Sequence, residues 1–145
     1  RGAVTESVAV ETGDFVIKRA DEVFAYQLAV VVDDAAQGVT QVVRGGDLLT
    51  STARQIALQR ALVVPTPLYG HLPMVLDGEG AKLGKRDGAL PLPSLSERRV
   101  VETLQVALAL LGVADLARDT PRSMLTEALA RFDRALIPAR DLRVS

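Results

Sequence analysis

Cysteine is missing from this 145-residue chain, which excludes disulfides, a thiolate nucleophile and a zinc–sulfur site built from its own residues. Tryptophan is missing too. Histidine occurs once, at His71, so the chain by itself cannot assemble a triad or metal site that needs two histidines. Aromatic residues make up 3%, too few for the stacking platform of a single-strand RNA binder. Neither sign of charge prevails. Seventeen Lys and Arg against 18 Asp and Glu give a net charge of −1, so any RNA contact must come from local patches rather than a global basic field. No apolar run approaches the ~18 residues of a membrane span; the longest candidates are Leu28–Val32 and Val106–Leu111. The first residues lack the charged segment and apolar stretch of a signal peptide. The start at Arg1 rather than Met reads as a processed chain or a piece of a longer one. Repeats and low-complexity tracts are absent.

What is present is a globular mixture, 48% hydrophobic and 24% charged, in a length that suits one domain or part of a larger protein. That composition excludes intrinsic disorder. Residues 1–18 read as extended: Val8 and Val10 alternate with smaller or polar residues, Gly13-Asp14 signals a turn, and Phe15-Val16-Ile17 is a short β-type run. Periodicity leaves helix and strand both open for Phe24–Asp34. The Ala-Tyr-Gln-Leu-Ala opening favours a helix packed on a sheet, ended by Gly38. Val39–Val43 reads as a strand closing at Arg44-Gly45-Gly46-Asp47. A helix follows, with Thr52 and Gln55 spaced as a capping box and Ile56, Leu58, Ala61 and Leu62 as its apolar face; Pro65 and Pro67 bound it. His71–Leu76 reads as a strand and Asp77–Gly80 as a turn. After Pro93, Ser94 and Glu97 form a second capping box. Val100, Val101, Leu104, Ala107, Leu108 and Leu111 then recur at helical spacing up to Gly112. Thr120-Pro121 opens a last helix with Met124, Leu125, Ala128, Leu129 and Phe132 as its stripe. Strand–helix alternation in the first two-thirds implies a parallel sheet covered by helices, with a small all-helical domain appended. The expected division is 1–92 and 93–145.

Two clusters could carry chemistry. Lys82, Lys85 and Arg86, on a glycine-flanked loop after a strand, are placed where open α/β sheets bind anions, and mobile lysines there can neutralise charge on a transferring phosphate. The alternative is a solvated loop. Arg44 closes a strand beside two glycines and offers a bidentate fork to a carboxylate; a strand-to-helix turn with a surface ion pair is the plainer reading. Asp33-Asp34 fits a charged helix end better than a metal or acid–base pair. His71 inside an apolar strand reads as a hydrogen-bonded structural residue, and Tyr26 as core. The tail mixes Arg98, Arg99, Arg118, Arg122, Arg131 and Arg134 with Glu97, Glu102, Asp115, Asp119, Glu127 and Asp133, which marks a solvated face rather than an RNA track.

These clusters, in this order, resemble the C-terminal half of the glutamyl-Q tRNA(Asp) synthetases, truncated relatives of the class I glutamyl-tRNA synthetases. The resemblance runs through Asp14–Arg19, Ala25–Asp34, Gln37–Thr40, Val43–Leu49 and Ser51–Gln55. It continues through His71-Leu72-Pro73 and Lys82-Leu83-Gly84-Lys85, and covers the helical tail in outline. Gln37-Gly38-Val39-Thr40 and Arg44-Gly45-Gly46-Asp47-Leu48-Leu49 favour this branch over full glutamyl-tRNA synthetases, which tend to read M-G-I-T-H and R-G-E-D-H there. With 60 residues following Lys85, a large anticodon-binding domain is also not expected.

The resemblance implies the C-terminal half of a Rossmann-like nucleotide-binding sheet. It implies a cytoplasmic, monomeric ligase family that activates glutamate with ATP, without tRNA, and transfers it to queuosine at the wobble position of tRNA(Asp). By the same resemblance Tyr26 and Arg44 match glutamate-binding residues. Lys82, Leu83, Gly84, Lys85 and Arg86 match the second class I signature loop that binds ATP, with Lys85 the catalytic lysine; Gly84 replaces the usual serine. The family's first signature, of H-x-G-H type, and its cysteine-rich zinc site have no counterpart in this sequence. The chain is therefore expected to be nearly inactive alone, so ATP–pyrophosphate exchange with glutamate by it would contradict the reading. Removing half a parallel sheet is also expected to cause association or poor solubility. Two alternatives stay open: a fragment of a glutamyl-tRNA synthetase, which would need tRNA for activation, and a non-catalytic tRNA-binding paralogue, which has no need of Tyr26, Arg44 and Lys85.

Overall fold

The computed structural model describes residues 2–83, 95–117 and 119–143. The chain forms two compact units, Arg1–Leu72 and Pro73–Ser145. The expected division after residue 92 falls outside the described residues.

In the first unit, residues 8–12 do not form the extended segment expected. They close one wide π-helical turn, Val8–Thr12. The Ser7 carbonyl accepts from the amides of Val10 and Glu11, while the Glu11 carboxylate accepts from the Ser7 amide. Local side-chain bonds of this kind compete with a ladder when no neighbouring strand is at hand. Phe15–Ile17 lies in a small hairpin, not a sheet strand: Lys18 and Phe24 face each other antiparallel, and Ala25 N–H donates to Ile17.

Helix α1 (Tyr26–Ala36) confirms the helical reading of the ambiguous valine-rich segment. It ends at Gly38, whose φ of 69° a side chain would resist. Strand β1 (Gln41–Gly45) runs through a 3₁₀ turn, Gly46–Leu48, into α2 (Leu49–Ala61), and strand β2 (Leu68–Leu72) returns parallel to β1. A parallel return needs a crossover, and α2 supplies it. Because α2 starts at Leu49, Thr52 and Gln55 are interior residues and the capping box expected there does not form. The buried face of α2 is also not the expected apolar one: Ser51, Gln55 and Gln59, spaced by four, are its buried residues. Helix α1 packs against α2 and buries Val31. The register pairs Val42 with Tyr69 and Arg44 with His71, so the alternation of strands sets these four on one face. On the other face Val43 is 67% exposed, opposite Gly70.

In the second unit the expected strand 71–76 is interrupted at Pro73. Beyond it lies β3 (Val75–Leu76), paired in parallel with a two-residue strand β4 (Leu142–Arg143) in the tail expected to be all helix. Asp77 organises the expected turn: its carboxylate accepts from the amides of Glu79 and Ala81, and the chain reverses so that Lys82 faces Leu76. Helix α3 (Glu97–Leu110) is preceded by Ser96, which makes no side-chain cap bond; Ser94, expected to form a capping box with Glu97, lies outside the described residues. Helix α4 (Pro121–Arg131) starts as expected, with Thr120 and Ser123 bonded reciprocally and proline at its first position. Val101, Leu108, Val113, Leu116, Met124 and Ala128 form the core. The α4 stripe is narrower than its sequence suggests, since Leu125, Leu129 and Phe132 are exposed.

Candidate functional site

The end of β1, the first turns of α2 and β2 converge on Arg44. Its Nε–H donates to His71 Nε2 (3.2 Å) and Nη1 to Gln55 Oε1 (2.7 Å); Nη2 donates to Thr52 Oγ1 (2.9 Å) and to the Leu48 carbonyl (3.3 Å). Its guanidinium carbon lies 5.0 Å from the centre of the Tyr69 ring, which stacks with the His71 ring. Each partner follows from local geometry. His71 is opposite Arg44 in the parallel register, and Tyr69 lies two residues earlier on the same face. Thr52 and Gln55 are three apart on α2 and so share a side. An arginine only donates, so His71 Nε2 must be the acceptor and its ring proton sits on Nδ1. Four of the five guanidinium N–H groups are thereby engaged, leaving one on Nη1. The sequence offered both arms of the fork to a ligand; the structure spends most of the fork on orientation.

Every hydrogen-bond partner of Arg44 is neutral. A half-buried cation without a carboxylate in its shell attracts an anion much more strongly than an exposed one. The surface ion pair weighed for this turn is not what holds the residue.

Gln55 continues the network. Its Nε2 donates to Gln27 Oε1 (2.9 Å), and Gln27 Nε2 donates to Ser51 Oγ (2.9 Å). The chain of bonds thus reaches α1 one residue past Tyr26, the first residue of that helix, which is 51% exposed. No hydrogen bond joins the Tyr26 and Arg44 side chains directly. His71 takes the structural role read for it. Tyr26 is not core: it stands at the open start of α1. Asp33 and Asp34 occupy the last turns of α1, and among the described residues no cluster of acidic or histidine side chains could hold a metal ion.

Lys82 and Leu83 belong to the second unit. Lys82 is exposed and held to Leu76 by the bridge described above, and the Leu83 amide donates to Val75. Gly84, Lys85 and Arg86 lie outside the described residues. The residues that sequence reasoning missed are Gln27, Gln55 and Thr52. Their signal was the polar series Ser51, Gln55, Gln59 on a helix that crosses between two parallel strands.

The model of the catalytic domain of class I tRNA synthetases (E and Q) matches residues 1–114. The chain belongs to that family. Among its relatives, a glutamyl-Q tRNA(Asp) synthetase of Xanthomonas oryzae pv. oryzae is 51% identical over 140 residues, which cover 94% of this chain and 46% of the relative. A protein of the same name in Burkholderia cenocepacia is 57% identical over 111 residues, 77% of this chain and 36% of that one. The chain spans less than half the length of these curated relatives. Among solved structures, a glutamate tRNA ligase of Elizabethkingia meningosepticum, in complex with its amino acid, superposes with a TM-score of 0.63. It is 24% identical and covers 89% of this chain and 29% of the ligase. That likeness shows the fold, the α/β class I synthetase fold expected from the sequence.

Proposed function

We propose that this chain carries the carboxy-terminal share of a glutamyl-Q tRNA(Asp) synthetase. Such an enzyme joins glutamate to ATP without tRNA and passes the glutamyl group to queuosine in tRNA(Asp). The observation that carries the reading is Arg44, a pinned, half-buried cation with neutral partners and one N–H to spare, at a position where the family resemblance expects a glutamate carboxylate. Tyr26, half exposed at the start of α1, would close the same site. Lys82, Leu83, Gly84, Lys85 and Arg86 would bind ATP, with Lys85 stabilising the charge that builds as a glutamate carboxylate oxygen attacks the α-phosphorus and pyrophosphate departs. Residues 1–92 would belong to the nucleotide-binding domain and 93–145 to a helical domain. Zinc, which the resemblance assigns to a cysteine cluster, would be held outside this chain, whose sequence has no cysteine. Its tRNA substrate places the activity in the cytoplasm.

The test is a chimera in which this chain follows the amino-terminal half of the Xanthomonas oryzae relative. Glutamate-dependent ATP–pyrophosphate exchange without tRNA is the expected result. Lys85→Ala should lower the rate about 10²-fold, and Arg44→Ala should raise the KM for glutamate. Exchange that demands tRNA would assign the chain to the glutamyl-tRNA synthetases instead. An inert chimera beside an active intact relative would favour a non-catalytic paralogue.

A further inference from the structure

We infer that Gln55 is the positioning residue of the carboxylate site: it fixes the Arg44 guanidinium and ties it to the start of α1, where Tyr26 stands. The inference rests on the reading of Arg44 as the carboxylate-binding cation.

Gln55 is 1% exposed, and an amide buried that deeply is costly unless both its ends are bonded. Its two bonds permit one orientation. Arg44 can only donate, so the amide must present Oε1 to it; Nε2 therefore points to Gln27, which must present its own Oε1 and turn Nε2 to Ser51. Each bond dictates the next: flipping the Gln55 amide would break both of its bonds, and flipping that of Gln27 would set two amide nitrogens against each other. The run starts at a cation, so the amide oxygens face the positive end and the dipoles reinforce one another. A neutral amide holds Arg44 without discharging it. A carboxylate at position 55 would hold it as firmly but occupy the charge that the substrate needs. An apolar side chain would take from Arg44 Nη1 its acceptor and from Gln27 Oε1 its donor. Thr52, one turn earlier on α2, and His71, across the sheet, complete the grip, but neither reaches α1.

The experiment uses this chain with ¹⁵N-labelled arginine. The order parameter of the Arg44 Nε–H reports the grip, and its shift on titration with L-glutamate reports the ligand. The parent chain should show a rigid Nε–H, near ~0.85, that shifts with glutamate. Gln55→Met, similar in length, should keep a folded amide spectrum, drop that order parameter below ~0.6 and weaken glutamate binding about tenfold. Gln55→Glu should leave Arg44 rigid yet weaken glutamate binding by at least as much, a separation that a purely structural role would not produce. Should Gln55→Met fail to fold, Gln55→Glu decides alone. Unchanged glutamate affinity in the folded Gln55 variants, with binding lost in Arg44→Ala, would overturn the role of Gln55 and spare the carboxylate reading. No glutamate shift in the parent chain, or full binding by Arg44→Ala, would overturn the reading and the inference with it.

Discussion

Gln55 and Gln59 lie one turn apart on the buried face of α2 and look alike in sequence, yet their surroundings differ. Gln55 satisfies both ends of its amide, one of them on a cation. Gln59 donates from Nε2 to the Tyr69 hydroxyl, while its buried Oε1 has no partner. Replacing a well-bonded buried amide strands its partners at a cost of about 1–3 kcal/mol, whereas replacing one that is half unsatisfied can be nearly neutral. Gln55→Leu should therefore destabilise the chain by about 1–3 kcal/mol, and Gln59→Leu by less than about 1 kcal/mol; urea unfolding of the two variants checks the contrast. Arg44→Ala should resemble Gln55→Leu, since it takes from Gln55 Oε1 its donor and from His71 Nε2 one of its neighbours, Thr52 Oγ1 remaining at 3.1 Å. Arg44→Lys should not restore stability, because one ammonium cannot serve acceptors fixed around a planar fork.

At the scale of elements, the sharpest constraint is at the end of α3. Gly112 has φ of 85°, and a Cβ there would sit 2.6 Å from the Leu136 carbonyl oxygen and 2.8 Å from its Cβ. Gly112→Ala should cost about 1–2 kcal/mol for the left-handed backbone alone, with the overlap added, and should lower the Tm accordingly. The first turns of α3 carry a pH-sensitive feature. Glu102 accepts from Arg98 (3.0 Å) and Arg99 (3.2 Å), and these bonds, Arg98 first, hold its carboxyl below the ordinary value. A carboxyl lowered on folding adds stability above its unfolded titration range, and that contribution is lost as pH falls through the lowered value. The exposed setting keeps the effect small. Glu102→Gln should thus be slightly less stable than the parent at neutral pH and indistinguishable from it in acid, when unfolding midpoints are compared across pH.

At the scale of the molecule, the two units are built on different interiors. The second has six buried apolar residues centred on the fully buried Met124. In the first, the buried residues among those described include one large aliphatic, Val31, beside Ser51, Gln55 and Gln59. Less apolar burial means easier local opening, so amide exchange should be faster in α1 and α2 than in α3 and α4. The first unit also has a two-stranded parallel sheet, an unusual minimum for a class normally covered on both faces. Val43 and Leu68 are exposed on it, at 67% and 72%. Sedimentation should show association that grows with concentration and weakens in Val43→Lys, as expected for an apolar, unpaired surface.

Helix α1, strand β1, the crossover helix and the capped start of α4 were legible because short-range rules decide them: a glycine stop, a β-branched run, a proline at a first helical position. The identity of Arg44 and Tyr26 as candidates was legible as well, through motifs that keep their order and spacing along the chain. Three things were decided only by the tertiary structure. The first turn of α2 begins at Leu49 because a 3₁₀ turn feeds directly into it, and this converts Thr52 from a cap into a ligand of Arg44. The strand expected at 71–76 divides because Pro73 has no N–H to give, and its second part finds β4 from the far end of the chain. The parallel register sets His71 against Arg44, so that a lone histidine becomes an acceptor for a guanidinium. Local sequence determines which residues turn, stop or extend. Which polar groups meet depends on pairings across tens of residues, and no pattern within a helix or strand encodes those.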